Sequence, residues 1–499
     1  MGAIKKLAGQ TLVYGMGTIA PRLLNYLLLT PFYTEIFEKN EYGVVTELYA
    51  YVAFLLVILT YGMETTFFRF IEKEAKKSTV FSTISFSLLA TSTLFLVVVF
   101  AFTQPIADAI RYEYNPEYIQ MLGIILALDA FMAIPFARLR YENKAVRFSL
   151  LKITNILINI GFNLLFFVGF PLLSKTDPTH WALQFYNPEV GVGYAFVANL
   201  IATAVTTILL LPEILKIKWE FDWSMYRSML RYAWPLVILG VAGMINEVSD
   251  KLIFKFLMPV PDGIENPDDY LLSLIGVYGA NTKLAVLMML FIQMFKFAAE
   301  PFFFSQAKEK NSKETYALVM KYFVAFGLFI FLGVMLYLDV VKHFINERYH
   351  DGLFVVPVIL MGNLFLGIFY NLSVWYKLND LTRYGALIAV VGSLITLLIN
   401  VIFVPLYGYA AAAWAHFFCY FFMMLISYFW GRKYFPIAYP IRSILGFFGL
   451  ALLLFYAHRE MPDSWPTLAK YTFRTLLVLV FVSGVYLSEL WSRKNKTIH

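Results

Sequence analysis

Four charged side chains lie within nine residues of the otherwise apolar stretch 231–258: Glu247, Asp250, Lys251 and Lys255. On a helix, Glu247, Lys251 and Lys255 follow at four-residue spacing and share one face, with Asp250 beside Lys251. A charge near the bilayer centre costs about 2.5–3.5 kcal/mol on insertion scales. The stretch therefore predicts a spanning helix that faces a wet interior and binds a sugar, a pyrophosphate or a coupling cation. The alternative is a structural pair of Glu247 with Lys251, and we expect Lys255 to be an anchor at the outer surface.

Two further basic residues lie near the middle of other apolar stretches. Arg22 lies about 20 Å along the first stretch, and Asn25 follows it one turn later. A guanidinium fork matches phosphate geometry, so Arg22 predicts a phosphate or pyrophosphate clamp; an ion pair with an acid such as Asp250 is the alternative. Lys283 lies about 18 Å from the outer end of its stretch, close to Asn281. Since no acid lies within two turns of Lys283, we expect its partner to come from another helix or from the substrate.

The remaining candidates lie closer to the ends of their stretches or stand alone. Lys296 is expected near the cytoplasmic surface, where it guides an anionic head group or simply extends to water. Glu64 and Arg69 predict a salt bridge at a gate. Asp129 is an isolated acid inside a span, and together with Glu64 and Glu247 it is a candidate for gating or ion coupling. Its structural alternative is a hydrogen bond to a neighbouring helix.

The composition identifies an integral membrane protein. Of 499 residues, 60% are hydrophobic and only 15% are charged, with a mean hydropathy of +0.68. Soluble domains are about 45–50% apolar and about 25% charged. The single cysteine, Cys419, excludes an intramolecular disulfide framework, and six scattered histidines make a metal site unexpected. We predict no cofactor, and the chain contains no phosphate-binding GxxxxGK[ST] motif that would indicate a built-in ATPase.

Apolar runs of about 20 residues recur along the chain and predict an all-α polytopic protein. Lys and Arg are about four times as frequent in one set of alternate loops as in the other, which places both termini in the cytoplasm. The net charge of +7 follows from this distribution and does not indicate nucleic-acid binding. About fourteen spans are predicted, at 9–34, 43–67, 80–103, 118–138, 149–172, 191–212, 231–258, 271–297, 316–338, 353–375, 384–404, 409–430, 442–457 and 469–489.

The helices repeat coarsely, because the span at 231–258 restarts the pattern of the first. The predicted domains are an N-terminal six-helix bundle at 1–212, a cytoplasmic linker at 213–230, a second six-helix bundle at 231–430, and the last two helices with a cytoplasmic tail at 431–499. Both bundles start from the same side, so the pseudo-two-fold axis relating them is predicted to be normal to the membrane.

Several stretches resemble the polysaccharide flippase branch of the multidrug/oligosaccharidyl-lipid/polysaccharide exporter superfamily. They are residues 11–43, GMETTFFRF (62–70), RYAWPLVI with Asp250-Lys251, GVYGAN (276–281) and FAAEPFFFSQAKE (297–309). The resemblance implies two six-helix bundles around a central cavity. It also implies export of undecaprenyl-pyrophosphate-linked oligosaccharide across a bacterial inner membrane by alternating access. The chain departs from the family in its longer loop at 172–191, which is a candidate for sugar contact.

Three functions remain open from the sequence. A lipid-linked oligosaccharide flippase, which is not an enzyme, fits best, because Arg22, Lys251 and Lys283 outweigh Asp250 and favour an anionic head group. A cation-coupled multidrug or small-molecule exporter of the same fold would favour a net acidic cavity. A membrane glycan polymerase or ligase would need a larger outer loop. The expected partners are the lipid-linked substrate, membrane lipid, H⁺ or Na⁺ as coupling ion and a glycan polymerase; nucleic acid is not expected.

Overall fold

The structure, a computed structural model, describes residues 23–496 except 75, 219, 308, 310, 380 and 463. In this part of the chain every regular element is helical. The first helix, α1, is described over 23–36. The others are α2 (Lys39–Thr60), α3 (Met63–Lys73), α4 (Lys77–Ala101), α5 (Thr103–Ala109), α6 (Pro116–Tyr141), α7 (Ala145–Leu164), α8 (Phe170–Thr176), α9 (Gly193–Leu209), α10 (Leu211–Ile214), α11 (Trp223–Leu257), α12 (Pro267–Leu284), α13 (Val286–Gln306), α14 (Ser312–Leu336), α15 (Leu338–Val341), α16 (Val356–Leu372), α17 (Val374–Leu378), α18 (Thr382–Tyr407), α19 (Tyr409–Tyr434), α20 (Ile441–Arg459) and α21 (Thr467–Lys496).

Among the described residues, eleven helical segments are long and apolar enough to cross a membrane. A twelfth is obtained if α12 and the first part of α13, which meet at a 52° bend, count as one span. Helix α9 is apolar but shorter than the others. Every predicted span overlaps a described helix, which confirms an all-α polytopic protein. The number fourteen and the pseudo-two-fold axis stay predictions.

Local sequence explains where several helices begin and end. The Asp222 carboxylate caps α11 by accepting from the Met225 N–H at 2.9 Å. Between α2 and α3, Tyr61 and Gly62 take positive φ values of 32° and 70°, which interrupt the helix. Gly408 separates α18 from α19 at a φ of 57°, a conformation that glycine adopts without steric cost.

The described chain forms two compact units, Met1–Gly276 and Val277–His499. In the first unit, α11 packs along α2 and also contacts α3 and α4. An apolar core joins α3, α4, α6 and α11; among its fully buried members are Met63, Phe67, Ile84, Ile134 and Met229. This packing holds α11 against the N-terminal helices of the same unit.

In the second unit, α16 and α18 pack on α19, and α14 packs on α16, α20 and α21. Two ion pairs hold α21 in place. Lys321 on α14 lies 2.8 Å from Glu489, and Arg474 lies 2.6 Å from Asp339 on α15. The domain boundaries predicted at 212, 230 and 430 stay predictions.

Candidate functional site

Asp250 and Lys251 bind each other on α11. The Lys251 ammonium lies 3.1 and 3.3 Å from the two carboxylate oxygens, and the Lys251 N–H donates to Oδ1 at 2.9 Å. Asp250 is only 6% exposed. Pairing offsets part of the cost of placing both charges in an apolar helix. A substrate phosphate would therefore compete with Asp250 for this ammonium.

Glu247 lies one turn before Lys251, yet the structural pair considered from their spacing is not formed. Its side chain is exposed, and among the described residues it forms no hydrogen bond or ion pair. Lys251 binds Asp250 instead. Glu247 is thus an accessible carboxylate on the helix that carries the buried charges, and its predicted role in gating or ion coupling stays a prediction.

Lys255 is buried, and the prediction of an outer anchor was wrong. Its side chain has no accessible surface, and its ammonium lies 3.1 Å from Oε2 of Glu47, which is equally buried. The Tyr112 hydroxyl donates to the same oxygen at 2.7 Å, and the Tyr112 ring centroid lies 4.1 Å from the ammonium. Because α2 supplies a carboxylate within reach, pairing inside the protein replaces extension to water. We call Glu47, Tyr112 and Lys255 the buried triad.

Sequence reasoning missed Glu47, although its signal was present. An acid inside the predicted span 43–67 is rare and by default suggests a functional or paired residue. Its Oε1 is buried and has no hydrogen-bond partner within the described part of the chain. Burial, followed by the charge of Glu47, holds the pKa of Tyr112 well above its ordinary value, so the phenol remains a donor. The triad is a fully desolvated charged site in the first unit.

Two further polar contacts lie near the triad at the same end of the first unit. The Asn40 amide donates to Asp269 Oδ1 at 3.1 Å, and Arg111 lies 3.3 Å from Asp268. They join the start of α2 and the loop after α5 to the first turn of α12. Since these side chains are exposed, the two contacts are weak individually.

Helices α2 and α12 approach closely enough at this end for backbone to touch backbone. A Cβ at Gly43 would lie 1.9 Å from the Leu272 carbonyl oxygen, and one at Gly276 would lie 2.0 Å from the Lys39 carbonyl oxygen. Only glycine permits such a crossing. Together with the triad, it holds α2 against α11 and α12 in the first unit.

Asn281 and Lys283 lie in the last turns of α12, in the second unit. The Asn281 amide is buried and donates to the carbonyl oxygens of Val277 and Tyr349, both at 2.8 Å. Lys283 is half-buried and lies just before the 52° bend between α12 and α13. The structure thus gives Asn281 a packing role, and substrate binding by either residue stays a prediction.

Lys296 lines a shallow cleft between α13 and the α16–α17 segment. The side chain is exposed, and its ammonium lies 4.7 Å from the Tyr370 ring centroid. Lys377 lines the same cleft. Sequence reasoning identified Lys296 but not its neighbours, which lie about 75–80 residues further along the chain.

Asp129 is half-buried on α6. Lys152 on α7 and Tyr49 on α2 are close enough to interact with it electrostatically. The Lys152 ammonium lies 4.0 Å from the Phe136 ring centroid. The acid that stands alone in the sequence therefore has a basic neighbour in space, and its role in ion coupling stays a prediction.

Glu64 forms an ion pair, but its partner is Arg140 rather than Arg69. The Arg69 guanidinium lies 4.1 Å from the Tyr232 ring centroid. Five residues on a helix correspond to about 140° of rotation, so Glu64 and Arg69 point in different directions. The predicted Glu64–Arg69 salt bridge was therefore wrong.

The last two residues predicted to bind substrate belong to the first predicted span. Asn25 on α1 is exposed, and Arg22 lies outside the described residues. Among the residues that the structure describes, no group of three or more His, Cys, Asp or Glu side chains is arranged to hold a metal ion.

The comparisons with known proteins agree with this geometry. Residues 34–258 match the family model described as polysaccharide biosynthesis protein. The fold is similar to that of the lipid II flippase MurJ in an inward closed conformation, with a TM-score of 0.72, 16% identity, and coverage of 96% of this chain and 100% of that chain. The predicted resemblance is confirmed at the level of the fold.

Multidrug transporters share the fold as well. An inward-facing MATE family transporter of the MOP superfamily matches with a TM-score of 0.63 and 13% identity over 85% of this chain and 97% of that one. The MATE multidrug transporter DinF-BH matches with a TM-score of 0.59 and 15% identity over 86% and 95%. A comparison with curated proteins found no match. The chain is a multi-pass membrane protein with an exporter fold.

Proposed function

We propose that this protein is a flippase for undecaprenyl-pyrophosphate-linked oligosaccharide. It would move the substrate from the cytoplasmic to the periplasmic leaflet of a bacterial inner membrane, with both termini in the cytoplasm, for cell-surface polysaccharide biosynthesis. The observation that carries the proposal is the match of residues 34–258 to the polysaccharide biosynthesis family. The fold shared with a lipid II flippase supports it.

The distribution of charge supports an anionic substrate. Lys283 and Lys296 lie on the two arms of the bent α12–α13 pair, and Arg22 is a third basic candidate. Asp250 is matched by Lys251, so it does not make the α11 segment acidic. A pyrophosphate head group would bind these cations while the prenyl tail stays in lipid, which avoids the cost of transferring the tail.

The close packing of α2 on α12 is a candidate for a contact that opens during alternating access. Glycine contact between α2 and α12, together with the buried triad, holds α2 against α11 and α12. Transport would require such a contact to open and another to form, which is the rocking motion expected of bundle transporters. H⁺ or Na⁺ would drive the cycle through Asp129, Glu64 or Glu247, and a glycan polymerase would receive the product.

A cation-coupled multidrug exporter is the second candidate. It is favoured by the MATE transporters that share the fold and by the accessible acid Glu247. The basic residues on α12 and α13 oppose it, because they would repel cationic drugs.

A transport assay with reconstituted protein distinguishes the flippase from the multidrug exporter. Proteoliposomes containing a labelled lipid-linked oligosaccharide should show transfer of the label between leaflets. We expect Arg22→Ala and Lys283→Ala each to reduce the rate at least tenfold, a change of about 1.4 kcal/mol in head-group binding. Lys218→Ala, at an exposed residue between α10 and α11, is the control and should transport normally. Wild-type rates in both test variants would refute the cationic clamp, and drug/proton antiport without lipid transfer would establish the second candidate.

A further inference from the structure

The first turns of α11 carry an exposed strip of aromatic and basic side chains. Trp223, Arg227, Arg231 and Trp234 follow one another at spacings of four, four and three residues, so they share one face of the helix. Trp223 is 62% exposed and Trp234 is 66% exposed, and both arginines are exposed as well. We call these four residues the α11 strip.

The other side of the same turns is fixed to the protein. Met229 and Ala233 are fully buried in the apolar core that joins α11 to α3, α4 and α6. At the start of the helix, the Asp222 N–H donates to Thr83 Oγ1 on α4 at 3.2 Å. All these residues belong to the first unit, so the position of the strip depends on that unit alone. The packing therefore holds the α11 strip in place and leaves its side chains outside the core.

Arg227 and Arg231 are cations without a counter-charge on their own helix face. No acidic residue occurs between Trp223 and Trp234. Within the part of the chain that the structure describes, neither guanidinium takes part in an ion pair or a hydrogen bond. A guanidinium presents five N–H donors in a planar fork that matches the oxygens of a phosphate. The strip can therefore accept an anion without first breaking an existing pair.

The length of α11 places the strip at the depth of the lipid head groups. The helix has 35 residues and is thus about 52 Å long, whereas the hydrocarbon core of a bilayer is about 30 Å thick. Residues 232–246 contain no charged side chain, so the helix enters the hydrocarbon core just after Arg231. The strip then crosses the head-group layer, on the side that the basic loops predict to be cytoplasmic.

The residue types match this layer. An indole combines a large apolar ring with one N–H donor, and tryptophan is enriched where a membrane meets water. An aqueous surface would leave both indole rings of the strip in water, whereas head groups and glycerol carbons cover them. Between the two rings, the guanidinium groups lie at the level of the lipid phosphates. Anionic lipids give the cytoplasmic leaflet a negative surface potential that attracts such basic segments.

We propose that the α11 strip binds the phosphate groups of anionic phospholipids in the cytoplasmic leaflet. Arg227 and Arg231 pair with the phosphates, while Trp223 and Trp234 lie in the head-group layer on either side of them. A soluble partner protein fits less well, because it would have to displace lipid from this depth. Since α11 continues from the strip to Asp250, bound lipid anchors one end of the helix that carries the buried charges. This anchoring is independent of the substrate that the protein transports.

Lipid titration of the full-length protein in a neutral detergent tests the proposal, with the rise in unfolding temperature as the measure of binding. The probes are phosphatidylglycerol, phosphatidylcholine and inorganic phosphate. We expect phosphatidylglycerol to act at the lowest concentration and inorganic phosphate to have no effect. The Arg227→Gln/Arg231→Gln variant should need roughly tenfold more phosphatidylglycerol for the same rise, with its phosphatidylcholine response unchanged. Arg227→Lys/Arg231→Lys keeps both charges and should retain most of the affinity.

Arg383→Gln/Arg442→Gln is the matched control. It removes two exposed arginines from the first turns of α18 and α20, at ends predicted to face the same side of the membrane. Its response to phosphatidylglycerol should equal that of the wild type. An unchanged response in Arg227→Gln/Arg231→Gln would overturn the proposal. An equal loss in both double variants would overturn it too, because net charge alone would then decide binding. Stabilisation by inorganic phosphate would instead indicate a site for free anions.

Contact of the strip with lipid is tested separately by tryptophan fluorescence in liposomes. Phosphatidylcholine brominated near the glycerol end of its chains quenches indoles at that depth. Trp223→Phe/Trp234→Phe should lower the quenched fraction of the fluorescence. Trp375→Phe is the control, because this indole is only 1% exposed and its loss should not lower that fraction. If removing both strip tryptophans leaves the quenched fraction unchanged, the strip does not contact lipid, and a protein partner replaces phospholipid as its occupant.

Discussion

Glu47 and Lys255 are 208 positions apart in the chain, and their side chains meet at 3.1 Å with no accessible surface on either. The pair joins α2 to the C-terminal end of α11 in the first unit. Tyr112 donates a hydrogen bond to Glu47 and covers the Lys255 ammonium with its ring. Neither charge is accessible to water in this structure, so each depends on the other.

Removing one partner of this pair should destabilise the protein strongly. Lys255→Met leaves the Glu47 carboxylate buried without its counter-charge, which in comparable sites costs about 3–5 kcal/mol. The Glu47→Gln/Lys255→Met double variant should recover most of this loss, because no unpaired charge remains. Thermal unfolding in detergent, followed by tryptophan fluorescence, measures both effects.

Lys175→Met is the control for Lys255→Met, since it makes the same chemical change at an exposed position. It should shift the unfolding temperature by little. If the double variant is less stable than Lys255→Met alone, the two charges are not coupled as the structure indicates.

The span positions were predictable because bilayer thickness dictates the length of apolar runs, and even the short run at 442–457 proved to be the 19-residue helix α20. The partner of Lys255 could not be predicted from the sequence. Helical spacing identifies residues that share a face, but it does not reveal that α2 packs there and brings Glu47 with it. For the same reason Glu64 was given the wrong ion-pair partner, because its actual partner, Arg140, lies 76 residues away in the chain.

The glycine contact between α2 and α12 predicts a variant in which these two helices separate. Gly43→Ala places a methyl group 1.9 Å from the Leu272 carbonyl oxygen, so the helices must separate. We expect a cysteine introduced at Asn40 to react with a membrane-impermeant maleimide several-fold faster in this variant. Gly243→Ala is the control, because no heavy atom lies within 4 Å of its added Cβ. Equal reactivity of the Asn40→Cys reporter in both backgrounds would show that the crossing does not control access.

The Asp339–Arg474 pair predicts a pH-dependent anchor for α21. Burial alone would raise the pKa of Asp339, but the hydrogen bonds and charge of Arg474 outweigh it and lower that pKa below its ordinary value. A carboxyl with a depressed pKa stabilises the fold above its unfolded pKa of about 3.9, and this contribution is lost as the pH falls through the folded value.

Asp339→Asn should therefore lower the unfolding temperature at pH 7, by a modest amount because the Asp339 side chain is 40% exposed. The difference from the wild type should begin to shrink as the pH falls below about 3.9, and it should disappear only below the depressed pKa of the folded carboxyl. Unfolding temperatures measured from pH 7 to pH 3 test this. A difference that persists unchanged to pH 3 would mean that the charge of Asp339 contributes nothing.

Asp129 provides the test of ion coupling. If this half-buried acid exchanges an ion during the cycle, Asp129→Asn should abolish the response of transport to an imposed proton or sodium gradient. Exchange of labelled for unlabelled substrate without a gradient should continue, because the variant keeps the basic residues on α12 and α13 that are proposed to bind the substrate. We expect the gradient-driven rate to fall at least tenfold, which corresponds to about 1.4 kcal/mol.

Asp108→Asn, at an exposed acid on α5, should retain the full response. If the Asp129 variant still responds to both gradients, the coupling site lies elsewhere, and Glu247 is the next acid to replace.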